Sequence, residues 1–287
     1  MNLSEYDISN QYTAMLLSSQ RITPPDSDAE VRHLVMQLPV KPLEYREGQS
    51  IGVLVPGPHE FGNRQHLRLY SIANSRKGEG GRGKTISICV RRCFYIDEIS
   101  GERYPGKASN YLCDAQPGDP IQITGPYGLA FNVPEDPTAN LLMVGVGTGI
   151  APFRAFTRHI YEEQGGWKGD VRLFYGAKTG LDMLYMNDVN KDFALYYEKE
   201  NFKAFEALSP RPAFNAPPDL EHVLAENSFD VWDMLQKPNT YVYIAGLMDA
   251  ARNFEKAMIV RAGSEGAWFG KLAELMEQKR YAEVLYE

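Results

Sequence analysis

Three cysteines among 287 residues are too few to form a disulfide framework. Cys89, Cys93 and Cys113 contain no C-x-x-C pair, so neither a zinc nor an iron–sulfur site is expected, and they suit a reducing compartment. The five histidines are scattered, none at metal-ligand spacing, and are read as surface or structural residues. No apolar run approaches the ~18 residues that a membrane helix needs, so no membrane span is expected. Net positive charge is missing as well: the chain carries −7 with a pI near 5.4. Nucleic acid is therefore not an expected partner, although a local basic patch could still receive an acidic protein. Residues 1–10 are polar and acidic, unlike a signal or transit peptide, and a cytoplasmic location is expected.

The composition that is present, 44% hydrophobic and 23% charged, is ordinary for a globular chain. Its length suggests two domains of ~150 residues each. From about residue 10 to 136 the chain reads as short strands broken by turns. Residues 30–38, 84–91 and 120–124 alternate, and 49–55 follow the turn Arg46-Glu47-Gly48. Pro56-Gly57-Pro58, Pro117-Gly118-Asp119 and Gly125-Pro126-Tyr127-Gly128 punctuate them, which suggests an antiparallel barrel. The charged, Gly-rich segment 76–84 reads as a solvated loop. Around Pro134-Glu135-Asp136-Pro137 the pattern changes. Residues 140–146 form a nearly unbroken apolar run, the mark of a strand buried on both faces. A helix over 152–163, a strand over 171–175, a helix over 229–235, a strand over 240–244 and a helix over 250–262 follow. Alternating strands and helices predict a parallel α/β sheet, with domains at 1–136 and 137–287.

Four consecutive positions, Arg68-Leu69-Tyr70-Ser71, combine a cation, a flat phenol and a small hydroxyl on one extended stretch. A ligand with a phosphate, a planar ring and a reactive edge needs all three; the alternative is an ordinary strand with an arginine at its edge. Gly145 to Phe153 (GVGTGIAPF) ends a buried strand and opens a helix, with Pro152 suited to the first helical turn. Glycines there admit a pyrophosphate to backbone amides, although the spacing differs from the usual dinucleotide fingerprint. Gly246-Leu247 repeats the theme at a second strand end, and ligands of open parallel sheets bind outside such ends. Arg91, Arg92 and Tyr95 suit a phosphate and an adenine, or else a charged strand edge. Lys107-Ala108-Ser109 starts a helix that Ser109 is expected to cap. The tail 281–287 reads either as an edge strand with a buried tyrosine or as a segment laying Tyr286 over a planar cofactor.

Together these stretches resemble plant-type ferredoxin–NADP reductases from about residue 10 to the C-terminus. The resemblance is carried by Tyr45-Arg46-Glu47-Gly48-Gln49-Ser50-Ile51-Gly52, Arg68 to Ser71, Cys89-Val90-Arg91, Ser109-Asn110-Tyr111-Leu112, Gly125-Pro126, Gly147 to Phe153, Asn239 to Tyr243 and Gly246-Leu247. It implies an N-terminal antiparallel β-barrel for FAD and a C-terminal Rossmann-like α/β parallel sheet for NADP. By the same resemblance Arg68 holds the FAD pyrophosphate, with Leu69 beside it, and Tyr70 stacks on the isoalloxazine. Ser71 bonds near flavin N5; Cys89, Val90, Arg91, Lys107, Ala108 and Ser109 line the FAD phosphates; Tyr95 stacks on adenine. Thr148, Ala177, Lys178, Ser209, Arg211 and Gly246-Leu247 serve the nicotinamide nucleotide. Tyr286 covers the flavin face and, with Ser71, completes the catalytic pair.

Three departures from the family pattern stand out. Ala245 replaces a cysteine, Val284 occupies the place of an acidic residue flanked by Glu283 and Glu287, and Pro210 replaces an arginine. Arg211 and Lys178 are then the cations for a 2′-phosphate, while Asp219 suits a free ribose hydroxyl. NADPH is expected ahead of NADH. The implied function is electron transfer between NADPH and a one-electron carrier, ferredoxin or flavodoxin, by hydride transfer at flavin N5. An acidic carrier would meet Arg76, Lys77, Arg82, Lys84, Arg91 and Arg92, unless these form only a solvated edge. Two alternatives remain: the reductase component of an oxygenase such as a benzoyl-CoA epoxidase system, and a non-autonomous flavin subunit of a larger complex.

Overall fold

The computed structural model describes residues 6–39, 43–57, 65–81, 83–128, 131–209 and 219–286. It divides into two units, Met1–Leu129 and Ala130–Glu287. Among the described residues no helix is long and apolar enough to cross a membrane.

The first unit contains β1 (Gln11–Arg21), β2 (Val31–Gln37), β3 (Ser50–Pro56), β4 (Gln65–Ser71), β5 (Thr85–Arg91), the short pair β6 (Phe94–Ile96) and β7 (Arg103–Pro105), helix α1 (Lys107–Asp114), and β8 (Pro120–Tyr127). Six strands form an antiparallel sheet in the order β4-β3-β8-β1-β2-β5. Just past β4, Ile72 bridges Ile88 of β5, and the Ala73 amide donates to the Ser87 carbonyl at 2.8 Å. These contacts join the two outer strands and close the sheet into the expected barrel, which removes exposed edges. Alternation supplies the core: Leu34 and Met36 of β2, Ile86, Ile88 and Val90 of β5, and Ile121 and Ile123 of β8 are buried together. β8 runs three residues further than the alternation indicated.

The segment 76–84 is more than a solvated loop. It contains a 3-10 turn at Glu79–Gly81, and two of its side chains reach inward. Arg76 forks onto Glu47, with Nε 3.1 Å from each carboxylate oxygen and Nη2 at 2.5 Å. The Glu47 side chain is 1% exposed, and a carboxylate so buried requires a paired cation. Glu79 accepts from Ser87 Oγ at 3.0 Å and lies 3.5 Å from His33 Nε2. These pairings join residues far apart in the chain, so local composition did not signal them.

The second unit contains β9 (Asn140–Val146), α2 (Ile150–Arg158) prolonged by a π-helical turn at His159–Glu163, β10 (Val171–Ala177), β11 (Phe202–Leu208), α3 (Leu220–Glu226), α4 (Ser228–Gln236), β12 (Thr240–Leu247), α5 (Met248–Ala262), α6 (Glu265–Glu277) and β13 (Tyr281–Tyr286). All five strands run parallel, in the order β11-β10-β9-β12-β13. The chain starts at the centre, adds strands to one side and then crosses to the other, so the order reverses between β9 and β12. Leu142, Val144, Phe174, Val242, Ile244, Phe254 and Trp268 pack in its core. β9 and β10 are buried almost throughout, as their unbroken apolar character requires.

Candidate functional site

In the first unit the site is assembled from strand ends. β4 lies against β3 with Val53 opposite Arg68, Ile51 opposite Tyr70 and Ser50 opposite Ser71. Arg68 is exposed, and one guanidinium nitrogen donates to the Leu67 carbonyl at 2.9 Å. Tyr70 packs on the barrel core, and burial pushes its phenol well above the ordinary range despite Arg68 nearby. It is a neutral, flat ring at neutral pH. Leu69 and Ser71 are half-buried.

A buried polar cluster lies behind the exit of β4. Asn74, fully buried, donates through Nδ2 to the Tyr45 hydroxyl at 2.8 Å and to the carbonyls of Ser75 and Thr85. Its Oδ1 accepts from the Ser87 amide at 2.6 Å, and the Tyr45 hydroxyl donates to Ser75 O at 2.8 Å. The polar groups of this turn thereby satisfy one another, as burial demands. Nothing local in the sequence pointed to Tyr45 as the partner of Asn74.

On β5, Cys89 and Val90 are buried while Arg91 is exposed and makes no ion pair among the described residues. Ser109 does not cap α1. The cap position belongs to Gly106, and no side chain bonds there. Ser109 is the third helical residue; its Oγ accepts from the Cys93 amide at 3.1 Å and donates to the Gly106 carbonyl at 3.3 Å. A Cβ on Gly106 would come within 3.0 Å of that Oγ and 3.2 Å of the Cys93 carbonyl, so glycine permits the close approach. The first-turn amides, those of Ala108 and Ser109 among them, find no acceptor within the helix itself. Tyr95 is 52% exposed and stacks on Tyr104, ring centroids 5.6 Å apart.

The basic cluster is not uniform. Lys77, Lys84 and Arg91 are exposed and unpaired among the described residues, whereas Arg76 is bound to Glu47 and Arg92 is turned inward; Arg82 lies outside the described residues.

In the second unit the site is largely backbone. A 3-10 turn, Gly147–Gly149, links β9 to α2. A Cβ on Gly149 would fall 2.2 Å from the Ala245 carbonyl oxygen, and one on Gly246 (φ +117°) 2.4 Å from the Val146 carbonyl oxygen. The ends of β9 and β12 therefore touch main chain to main chain at the point where strand order reverses, which only glycine allows. Tyr175 ties the turn down, its hydroxyl donating to the Gly147 carbonyl at 2.9 Å. Thr148 Oγ1 and the Tyr286 hydroxyl are 2.5 Å apart. The tail is an edge strand as one reading had it, but Tyr286 is 40% exposed rather than buried. Register sets Leu247 opposite Tyr286 and Ala245 opposite Val284.

At the far side of this sheet the Ser209 amide donates to the Ala177 carbonyl at 2.9 Å, which brings Ser209 beside Lys178; both side chains are exposed. Arg211 lies outside the described residues. Asp219 caps α3, its Oδ1 accepting from the His222 amide at 2.8 Å, so its carboxylate already serves the helix.

The first unit offers a flavin dinucleotide what it requires: guanidinium donors at Arg68 and Arg91, helix amides beside a glycine cradle, and a planar ring at Tyr70. The second presents glycine-lined strand ends at a switch point. Residues 23–131 match the oxidoreductase FAD-binding domain model and residues 143–256 the oxidoreductase NAD-binding domain model. Fold and site thus define a two-domain oxidoreductase built for FAD and a nicotinamide nucleotide.

The chain is 38% identical over 269 residues to the chloroplastic leaf isozyme 1 of ferredoxin–NADP reductase from Oryza sativa subsp. indica, covering 92% of this chain and 73% of that protein. It is 36% identical over 293 residues to the Arabidopsis thaliana leaf isozyme 1, covering 99% and 79%. A solved structure of ferredoxin–NADP+ reductase from Plasmodium falciparum superposes with a TM-score of 0.75 at 20% identity, covering 98% of both chains. The chain belongs to the ferredoxin–NADP reductase family.

Proposed function

We propose that this protein moves electrons between NADPH and an acidic one-electron carrier, ferredoxin or a flavodoxin-like protein, through bound FAD. Bound FAD supplies the exchange between a two-electron hydride at N5 and single electrons. The protein's part is to bind and orient. Arg68 and Arg91 neutralise the pyrophosphate together with the first turn of α1, while Tyr70 offers its neutral ring to the isoalloxazine. Ser71 supplies the hydroxyl nearest N5, and Tyr95 stacks on the adenine. On the nucleotide side Thr148, Ala177, Lys178, Ser209 and Gly246-Leu247 form the contact set, with Arg211 as a further cation. Tyr286, tied to Thr148, stands at the nicotinamide position. NADPH is preferred over NADH because Lys178 is an exposed cation and Asp219 is engaged as a helix cap. Lys77 and Lys84 are the docking cations. The cytoplasm is the compartment we assign, consistent with three free thiols, although relatives include chloroplastic enzymes.

The observation that carries this reading is family membership together with Arg68, Tyr70 and Ser71 on one strand beside an uncapped helix start. The test is stopped-flow reduction of the purified yellow protein by NADPH and by NADH separately. NADPH should reduce the flavin faster, and Ser71→Ala should slow that step at least about tenfold. A Ser71→Ala protein with full turnover removes the serine assignment, and a polypeptide that takes up no FAD removes the reading itself. Steady NADPH–ferricyanide turnover by the isolated chain excludes a non-autonomous subunit.

A further inference from the structure

Arg92 follows three residues assigned to the FAD phosphates, yet its side chain is turned inward and is 18% exposed. Every nitrogen of its guanidinium is engaged. Nε is 2.7 Å and Nη2 3.4 Å from the two carboxylate oxygens of Glu30, just ahead of β2. Nη1 donates to Asn110 Oδ1 at 3.0 Å and Nη2 to Asp114 Oδ1 at 2.8 Å, both on α1. The Arg92 amide donates to the Glu30 carbonyl at 2.9 Å. Asn110 in turn donates through Nδ2 to the carbonyls of Cys93 at 2.8 Å and Gly106 at 2.9 Å. One cation thus fastens the approach to β2, the exit of β5 and the length of α1 from Asn110 to its last residue, Asp114. Its charge is spent within the protein rather than on a ligand.

Arg32 lies 2.5 Å from Glu30, so two arginines face Glu30 and Asp114 and the cluster is close to neutral. Removing Arg92 would leave Arg32 as the one arginine of the pair against Glu30 and Asp114, and would free α1 to shift against β5. A planar, five-donor guanidinium can span three elements in this way; an ammonium cannot.

We propose that Arg92 is a positioning residue for the FAD pyrophosphate: without touching it, Arg92 fixes the distance between the first turn of α1 and the Cys89–Arg91 strand end. This rests on the placement of the FAD phosphates in the reading above. The test uses holoprotein. In Arg92→Met, release of FAD on dilution, followed by the rise of free-flavin fluorescence, should be about tenfold faster than in the parent. The phosphorus NMR resonances of bound FAD should move, while the visible bands of the isoalloxazine keep their positions. Arg92→Lys should recover only part of the retention. Asp114→Asn deletes one arm at an exposed carboxylate, and should speed release about threefold even if Arg92→Met fails to fold. Release at the parental rate in these variants overturns the proposal, and so do visible bands that shift while the phosphorus resonances stay fixed. A parent protein holding no FAD would instead refute the functional reading and be recognised before any variant is made.

Discussion

The two units position ligands by opposite means. In the barrel, the groups assigned to FAD are side chains at strand ends, and their places are set by buried or half-buried polar partners: Asn74 with Tyr45, Arg76 with Glu47, and Arg92 with Glu30, Asn110 and Asp114. In the α/β unit the equivalent positions are main chain, set by hydrocarbon packing of β9 and β12 and by glycines that let their ends meet. A hydrogen-bonded scaffold fails when one partner is deleted and another is left unsatisfied. A steric scaffold fails when an atom is added.

That contrast can be broken most forcibly at Gly149. Gly149→Ala adds an atom where the Ala245 carbonyl already lies at 2.2 Å, and should cost about 3 kcal/mol, read by urea unfolding. Should it prove neutral, the steric account of the second unit fails. Next in size is Asn74→Ala, which strands the Ser87 amide and weakens the anchorage of Tyr45. A loss of about 2 kcal/mol is expected by the same assay, together with poorer FAD retention. Thr148→Val removes a hydroxyl bond worth about 1 kcal/mol. Amide hydrogen exchange at Leu285 and Tyr286 should quicken severalfold, with central β12 amides unchanged.

The smallest effect is one of pH. Burial opposes ionisation of Glu30, but hydrogen bonds from Arg92 and Arg32 outweigh it and hold the carboxyl below its usual range. A depressed pKa contributes stability above the unfolded value of ~4.3 and loses it as pH falls through the folded value. FAD release should therefore quicken mildly below about pH 4, and Glu30→Gln should abolish that increment.

Elements whose signals are local were readable in the chain itself. The apolar run of residues 140–146 is β9, and the Gly-rich turn with Pro152 marks the start of α2. The alternation of residues 84–91 is β5. Readings that needed a distant partner were not. Ser109 carries the chemistry of a cap, but Gly106 takes that place, and the Ser109 hydroxyl is claimed by the Cys93 amide from the link between β5 and β6. Arg92 looked like a surface cation because its acceptors lie 62 and 22 residues away. Charge in a linear string does not reveal which cations are already neutralised by the fold.

Ala245 and Val284, which the resemblance in sequence set against a thiol and an acid, are direct neighbours across β12 and β13. Side by side they make a hydrocarbon wall that can neither store nor relay a proton. Groups on or beside β13 that can exchange a proton include the hydroxyls of Thr148 and Tyr286, bonded to each other, and the Glu283 carboxylate, bonded to the Tyr281 hydroxyl.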